Sequence, residues 1–507
     1  MYPEFDLLYQ NPQKILPSKE IDMSMQSLLL EEVVSGVTVD IVLQRKVYEL
    51  LKYPEQDLAN IIHRRELIKD FRKNSTLLHE FELIKEINDT IKDSLKIVKT
   101  NTSSIQTTSG GKSSKSDRES SVFTVQTLAD CILKTLKMYE EYDKTFARNH
   151  VESAFFQKMQ QFVHSQVENP AFSELKRISE GLADSLNLSS SFVVLAKLDQ
   201  YMRILDCEIF RLTTDPYYYK PGSEMKDKGM PVEYIEFDAE SDQQLQFLAE
   251  RSMIKLTEFM ESIVYQLKAP FDRVEQGFFY YHFADLLYRA YENMALPCCL
   301  AEYSPDANRF ASTEIYDLWF SLKQYKKNKS EKPGQTLVPN DAIMEPDCPA
   351  YIITGQNNAG KTVFLRAVGI IQVLAQAGLP IPCRTAVVTP VPHLFAYFTA
   401  LDIGQGRFEE EVETVSGFLD LLQPDDMLLF NEVYQSTSYD EASEALSEFI
   451  AVAAMGGARV VAVTHLPDMQ KNLSALQQRY GFDGKIRYMK AEEKDGKATH
   501  KFIQEIE

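Results

Sequence analysis

The sequence predicts a chain in two parts, a long all-α region followed by an α/β domain. Up to about residue 300 the apolar residues recur at helical spacing, and glycine and proline are sparse. Beyond that point short β-branched runs alternate with helical patterns, which is typical of a largely parallel sheet covered by helices. A glycine-rich loop follows one of those runs and precedes a helical pattern. These three observations define the expected fold class.

The helical part is predicted over residues 1–322. Residues 100–121 interrupt it, and because they are rich in Ser, Thr and Gly we expect a flexible insertion there. Residues 323–334 are basic and end in Pro-Gly, which predicts a linker. A solvated loop is the more common role for both segments, although either could contact a ligand. The α/β domain is predicted over residues 335–507, and a terminal hairpin turns at Asp495-Gly496.

Composition limits the classes of partner. The chain of 507 residues has 54 Lys and Arg against 74 Asp and Glu, a formal charge of −20. That balance opposes indiscriminate binding to nucleic acid, because neutralising phosphates takes clustered Lys and Arg. No run approaches the roughly 20 apolar residues of a membrane span, and the first residues lack a secretory signature. Six scattered cysteines without a Cys-x-x-Cys pair fit a reducing compartment. We therefore expect a cytoplasmic protein without a membrane partner.

A phosphate-binding loop is predicted after the apolar run at residues 351–353. The pattern G-x-x-x-x-G-K-[ST] is satisfied at every fixed position, and a helical pattern follows it. Glycines let backbone N–H groups surround a phosphate, and the helix N-terminus adds positive dipole. We expect Lys361 to reach the β- and γ-phosphates and the Thr362 hydroxyl to ligate Mg²⁺. The predicted ATP-binding residues are Gly355, Gln356, Asn357, Asn358, Ala359, Gly360, Lys361 and Thr362.

Two further strand ends supply candidates for hydrolysis. The apolar run 427–430 ends in Asn431-Glu432, where Glu432 is placed to polarise an attacking water and Asn431 to hold Mg²⁺. The run 458–463 ends in Thr464-His465, and His465 could sense a γ-phosphate. A histidine at such a position is, in isolation, more often structural. The sequence thus predicts a P-loop NTPase with Glu432 and His465 as its catalytic residues.

These motifs together resemble the MutS family of DNA mismatch-repair ATPases. The loop at residues 354–362 is similar to that family's phosphate loop, and residues 338–341, 431–440 and 464–465 are similar to its other motifs in the same order. The resemblance implies an ABC-type ATPase domain in which Mg²⁺ and ATP bind. It also implies that the helical region forms the family's core and lever.

Partners follow from the same resemblance. In the family two ATPase domains enclose ATP, which implies a homodimer in which Ser436 and Thr437 act on the partner's γ-phosphate. The resemblance makes Glu411 a switch residue, although an exposed helix face is an equally good reading of the Glu409–Glu411 run. DNA is a plausible partner. The basic side chains that would support it are Arg64, Arg65, Lys99 and Lys112.

Departures from the family leave two functions open. Asn431 stands where the family has an Asp, so weaker Mg²⁺ binding and slow hydrolysis are expected. We expect no mismatch-reading or connector domain, because the lever pattern begins by about residue 25. The first function is a DNA-associated ATPase that acts in repair or recombination without reading mismatches. The alternative is an ATP-dependent conformational scaffold with a protein partner and little or no DNA binding, which the charge favours.

Overall fold

The computed structural model separates the chain into two units. The first unit comprises Met1–Asp6 and Lys73–Gln276, and the second comprises Leu7–Arg72 and Gly277–Glu507. No helix within the described ranges is long and apolar enough to cross a membrane. The residues that the structure describes are 3–10, 18–107, 115–185, 191–198, 204–213, 239–304, 309–327, 337–348, 350–356, 358–398, 407–434, 437–481, 486–494 and 497–504.

The part of the chain before residue 300 is mostly helical, as predicted. The helix at Ile41–Leu51 begins where a side chain caps it: Asp40 accepts hydrogen bonds from the Val42 and Leu43 N–H groups, at 2.8 and 3.1 Å. The elements are α1 (Lys19–Ser27), α2 (Leu30–Val37), α3 (Ile41–Leu51), α4 (Leu58–Lys73), α5 (Leu77–Thr107), α6 (Lys115–Arg148), α7 (Ala154–Val167), α8 (Pro170–Ser185), β1 (Ser191–Leu198), β2 (Ile204–Thr213), α9 (Ala239–Lys268) and α10 (Asp272–Met294).

An aromatic cluster forms the core of the first unit. Phe81 on α5 packs edge-on against Tyr142 and Phe146 of α6, with ring centroids 5.2 and 5.9 Å apart. Phe156 of α7 completes the cluster at 5.6 Å from Phe81. Such ring pairs add about 0.5–1.5 kcal/mol each beyond the burial of their area. The long helices of this unit are therefore held by packing at one end of the α5–α6 pair.

The prediction of an all-α region is wrong in one respect, because strands interrupt it. Strands β1 and β2 form an antiparallel pair in the first unit. The run Phe192-Val193-Val194 is rich in residues that favour a pleated strand, and a search for helical spacing over a long region overlooks so short a run. Two more strands, at Glu302–Tyr303 and Phe310–Ile315, also precede residue 322.

The two predicted loops are also shorter than expected. Helix α5 continues to Thr107 and α6 begins at Lys115, so much of residues 100–121 is helical, and 108–114 lie outside the described residues. Residues 323–327 form the end of a helix rather than a linker. Lys326 and Lys327 lie in its last turn, where positive charge stabilises the helix dipole. Local composition predicts a loop poorly where a helix that begins in the adjoining segment continues into it.

The second unit contains two sheets. Its elements from residue 302 onward are β3 (Glu302–Tyr303), β4 (Phe310–Ile315), α11 (Leu318–Lys327), β5 (Asn340–Met344), β6 (Ala350–Thr354), α12 (Lys361–Ala377), β7 (Thr385–Val388), β8 (Leu394–Phe398), α13 (Arg407–Asp420), β9 (Met427–Asn431), α14 (Tyr439–Met455), β10 (Arg459–Val463), α15 (Met469–Tyr480), β11 (Ile486–Lys494) and β12 (Lys497–Gln504). The six-stranded sheet has the order β12-β11-β6-β10-β9-β8, and the four-stranded sheet has the order β3-β7-β4-β5.

The six-stranded sheet positions the candidate site. Strands β6, β10 and β9 are neighbours and run parallel, with Val460 opposite both Ala350 and Leu428. All five residues of β9 and of β10 are buried. Strand β12 pairs antiparallel with β11, where the sequence predicts a hairpin. Because parallel strands end on one side, the segments that follow β6, β9 and β10 lie together there.

Helix α1 packs against the edge strand β8 of this sheet, although it lies more than 350 residues earlier in the sequence. The N–H of Ala396 donates to the Ser24 hydroxyl at 3.0 Å, and the N–H of Phe398 donates to the Ser27 hydroxyl at 3.3 Å. These bonds satisfy donors on the edge strand β8, whose other side pairs with β9. The second unit therefore includes N-terminal residues as well as the predicted α/β domain.

Candidate functional site

The loop between β6 and α12 needs glycine for steric reasons. Gly355 has φ +139°, and a Cβ built there would lie 2.6 Å from the Cβ of Ala491 on β11. Gly360, the N-cap of α12, has φ +91°. Neither conformation suits a residue with a side chain. Asn358 also has a positive φ, +64°, and Asn357 lies outside the described residues.

Lys361 is the first residue of α12, and its ammonium group contacts the glycine-rich loop. Its Nζ donates to the carbonyl oxygens of Gly355 and Gln356, at 2.5 and 3.2 Å. The same Nζ is 2.7 Å from His465 Nε2 and 3.7 Å from Glu432 Oε1. Burial lowers the pKa of Lys361, and the Glu432 carboxylate acts in the opposite direction. This lysine is thus held among acceptors instead of extending into solvent.

The two residues expected to hold Mg²⁺ are in contact. The Thr362 hydroxyl donates to Asn431 Oδ1 at 2.9 Å. Asn431 is the last residue of β9 and is buried. Within the described ranges no three His, Cys, Asp or Glu side chains form a metal-binding group. The Thr362 and Asn431 oxygens are of the type that Mg²⁺ and its bound waters accept as partners.

Glu432 and His465 meet at the ends of neighbouring strands. Glu432 has φ +56°, an uncommon conformation for a residue with a side chain, and its N–H donates to Val463 O at 2.9 Å. His465 Nε2 lies 3.0 Å from Glu432 Oε1. Partial burial lowers the pKa of His465, and the nearby charge of Lys361 lowers it further. Nε2 accepts from the Lys361 ammonium in the Nδ1–H tautomer and donates to Glu432 Oε1 in the Nε2–H tautomer, and a neutral ring makes one of these bonds at a time.

Comparison with known proteins identifies the domain that carries this arrangement. A model of the family described as MutS domain V matches residues 351–506. Over this domain the chain is similar to the MutS family. It is 32% identical over 157 residues to the DNA mismatch repair protein MutS of Salinibacter ruber, covering 30% of this chain and 17% of that protein. It is 33% identical over 145 residues to the endonuclease MutS2 of Bacillus cytotoxicus, covering 27% of this chain and 18% of that protein.

A third relative shows a similar identity over a segment of similar length. The DNA mismatch repair protein MutS of Caldicellulosiruptor saccharolyticus is 33% identical over 151 residues, which are 28% of this chain and 18% of that protein. The chain thus matches less than a fifth of the length of these relatives. The family model likewise covers only residues 351–506 of the chain.

Two further predicted residues of the MutS-type domain, Glu411 and Thr437, lie on α13 and next to α14. Thr437 donates from its hydroxyl to Glu441 Oε2 at 2.6 Å, and Ser436 lies outside the described residues. Glu411 is buried and accepts from the Tyr434 N–H at 2.8 Å, so the alternative of an exposed position for it is wrong. The glutamate holds the segment that follows β9.

Two of the four basic candidates for DNA contact make internal contacts in the second unit. Arg64 is buried, pairs with Glu55 at 3.0 Å and donates to Leu8 O at 2.9 Å, so its assignment to a DNA surface is wrong. Arg65 donates to Ala301 O at 2.5 Å. Lys99 is exposed, and its Nζ lies 5.6 Å from the centre of the Tyr265 ring. Lys112 lies outside the described residues.

Three tyrosines that sequence reasoning missed hold the other end of α12. The hydroxyls of Tyr280 and Tyr303 donate to the carbonyl oxygens of Ala377 and Ala375, each at 2.6 Å. The hydroxyl of Tyr291 donates to Pro380 O at 3.2 Å. Apolar spacing places Tyr280 and Tyr291 on a helix but says nothing of hydroxyl partners about 90 residues away. No motif could have found them.

Proposed function

We propose that this chain binds ATP with Mg²⁺, hydrolyses it slowly, and acts as a dimeric DNA-associated ATPase in DNA repair or recombination without reading mismatches. One observation carries the proposal. Lys361, Thr362, Asn431, Glu432 and His465, which are spread over about a hundred residues, converge where three parallel strands end. The relatives named as mismatch repair proteins support the DNA part.

The residues present fit a nucleotide phosphate. The two loop glycines leave backbone N–H groups accessible, and the N-terminus of α12 faces the loop with its unpaired donors. Lys361 would hold phosphate oxygens, and Thr362 with Asn431 would hold Mg²⁺. When bound, Mg²⁺ neutralises charge that develops on the phosphate oxygens. Asn431 contributes no negative charge, so we expect weaker metal affinity than an Asp would provide.

Glu432 and His465 have different roles in the proposed hydrolysis. The Glu432 carboxylate lies 3.0 Å from His465 Nε2, and it orients the attacking water and takes its proton. His465 is kept neutral by Lys361 and by burial, so it positions Glu432 and reads the γ-phosphate without adding a second cation. Ser436 and Thr437 would act on the γ-phosphate of a second copy, which is why a homodimer is part of the proposal.

Nucleotide binding is tested with Lys361→Ala. Loss of the charged hydrogen bonds to phosphate should weaken ATP affinity by roughly a hundredfold, about 2.7 kcal/mol, measured by titration calorimetry with Mg²⁺. Lys471→Ala, an exposed lysine on α15, is the matched control and should bind as the wild type does. Equal affinity of the Lys361 variant and the control would contradict the proposed site.

The scaffold function is the second candidate, and Arg64 favours it. That arginine, one of the basic side chains expected to face DNA, is used inside the second unit, and the chain carries −20 overall. Duplex and branched DNA should be titrated at increasing salt, with and without ATP. A steep loss of binding with salt supports the DNA function. Absence of binding at low salt for every DNA form would favour a protein partner.

A further inference from the structure

Two cysteines that are distant in the sequence lie side by side in the second unit. The sulfur atoms of Cys299 and Cys383 are 3.5 Å apart, although the residues are separated by 84 positions. Cys299 follows α10, and Cys383 follows α12. An antiparallel bridge joins Cys299 to Ile381, two residues before Cys383: the Cys299 N–H donates to Ile381 O at 3.3 Å, and the Ile381 N–H donates to Cys299 O at 2.8 Å. This backbone pairing holds the two segments that carry the sulfurs close together.

The two thiols differ in their exposure to solvent and in the direction in which their pKa is shifted. Cys383 is fully buried, whereas Cys299 is partly exposed. The hydrogen bond with Cys383 lowers the pKa of Cys299, and the Ala386 N–H and the charge of Arg65 act in the same direction. The pKa of Cys383 is raised by that hydrogen bond and by burial. The reactive thiolate is thus the accessible sulfur, and the proton stays on the buried one.

We propose that Cys299 and Cys383 form a reversible disulfide when the protein meets hydrogen peroxide or another small hydroperoxide. The sulfurs must approach by about 1.5 Å to reach bonding distance. That movement is smaller than a change of side-chain rotamer. The site is separate from the nucleotide site, so the proposal does not depend on ATP binding.

The chemistry balances with peroxide as the oxidant. The Cys299 thiolate attacks one peroxide oxygen, the O–O bond breaks, and the leaving hydroxide takes up a proton as water. Cys299 is then a sulfenic acid. The Cys383 sulfur attacks the Cys299 sulfur, the S–S bond forms, and the hydroxyl leaves with the Cys383 proton as a second water. Two thiols lose two electrons, and one peroxide gains them.

The disulfide would join two segments already linked by Tyr291. It would close a loop that contains β6, the glycine-rich loop and all of α12. The ends of α10 and α12, which the Tyr291 hydroxyl connects through Pro380 O, would become covalently tied. Because a closed loop has fewer unfolded conformations, the oxidised chain should unfold at a temperature several degrees above the reduced chain.

Cys298 provides an internal control. It is adjacent to Cys299, and burial raises the pKa of its thiol to about 11. We expect it to react slowly. Because both cysteines fall in one proteolytic peptide, single serine variants are needed to decide which sulfur is bonded.

The test uses the full chain, reduced and then treated with one equivalent of hydrogen peroxide. Free thiols are alkylated, and the digest is analysed by mass spectrometry alongside thermal unfolding. The wild type and Cys298→Ser should yield a crosslinked peptide with two hydrogens lost and a raised unfolding temperature, both reversed by dithiothreitol. Cys299→Ser and Cys383→Ser should yield neither.

Three results would overturn the proposal. They are a crosslink that persists in Cys299→Ser, oxidation of Cys299 to a sulfinic acid without a crosslink, and no modification of either cysteine. If Cys383→Ser does not fold, Cys383→Ala replaces it, because alanine requires no hydrogen bond in this buried position. The Cys299→Ser result is decisive in any case, since that side chain is partly exposed.

Discussion

The two ends of α12 show two ways in which the same chain builds a precise local structure. At the N-terminal end the loop, Lys361 and Thr362 come from eight consecutive residues. At the C-terminal end the carbonyl oxygens accept from Tyr280, Tyr291 and Tyr303, which approach from α10 and β3. The sequence motif alone identifies the N-terminal end, whereas the contacts at the C-terminal end depend on the tertiary fold.

The electrostatics of the helix explain the division of roles. Unpaired N–H groups at the N-terminus favour an anion, whereas unpaired carbonyl groups at the C-terminus require donors. Gly378, with φ +80°, ends the helix, and its N–H donates to Ala375 O at 2.8 Å. A Cβ there would lie 3.0 Å from Ile61 O. One end is thus suited to a ligand and the other is closed by protein.

The largest expected effect is on hydrolysis at the N-terminal end. Glu432→Gln removes the proton acceptor but keeps the shape, so ATP hydrolysis should fall by about a hundredfold or more while ATP affinity stays close to that of the wild type. Phosphate release and a nucleotide titration measure the two quantities. Glu444→Gln, on the exposed side of α14, is the control. Similar rates for both variants would remove Glu432 from the mechanism.

The C-terminal end should respond in stability and not in nucleotide affinity. Tyr280→Phe leaves the buried Ala377 carbonyl without its hydroxyl donor, which should lower the free energy of unfolding by about 1–3 kcal/mol. Urea denaturation followed by circular dichroism measures this. Tyr439→Phe, at a side chain that is 67% exposed, should change it little. A large loss of ATP affinity in Tyr280→Phe would show that the two ends are coupled.

A smaller effect is expected at Asn431. Asn431→Asp keeps the acceptor for the Thr362 hydroxyl and adds a negative charge, so Mg²⁺ affinity or turnover should rise by roughly three- to tenfold. Asn431→Ala should lower both. Metal-dependent hydrolysis over a Mg²⁺ series provides the measurement. If the aspartate variant behaves as the wild type does, the substitution that separates this chain from the family pattern has no functional cost.

The smallest effect is a pH dependence from His465. Its folded pKa is lowered, so near pH 6.5 the unfolded imidazole binds protons that the folded one does not. Its stabilising contribution is present above that pH and is lost as pH falls through the lowered folded value. Thermal unfolding between pH 5 and 8 should therefore show a weaker decline at low pH in His465→Asn. Parallel curves for variant and wild type would contradict the assignment.

Sequence patterns succeeded where the determinants are local. Apolar runs at residues 351–353, 386–388, 427–430 and 460–463 are strands, because buried parallel strands need short apolar, β-branched segments. The prediction failed at β1, β2 and at residues 323–327, where local composition competes with neighbouring structure. The DNA contact for Arg64 and the exposed alternative for Glu411 were wrong for a related reason, since a charged residue gives no local sign that it will be buried with a partner.

The amino-acid sequence by itself determined the glycine-rich loop, the apolar strands before and after it along the chain, and the resemblance to the MutS family, because these depend on residue types at fixed spacing. Only the tertiary structure decided that α1 covers β8, that three tyrosine hydroxyls close the end of α12, and that Cys299 lies beside Cys383. Those contacts join residues separated by 72 to 372 positions. Long-range partners are chosen by the packing of whole elements, and no spacing along the chain encodes them.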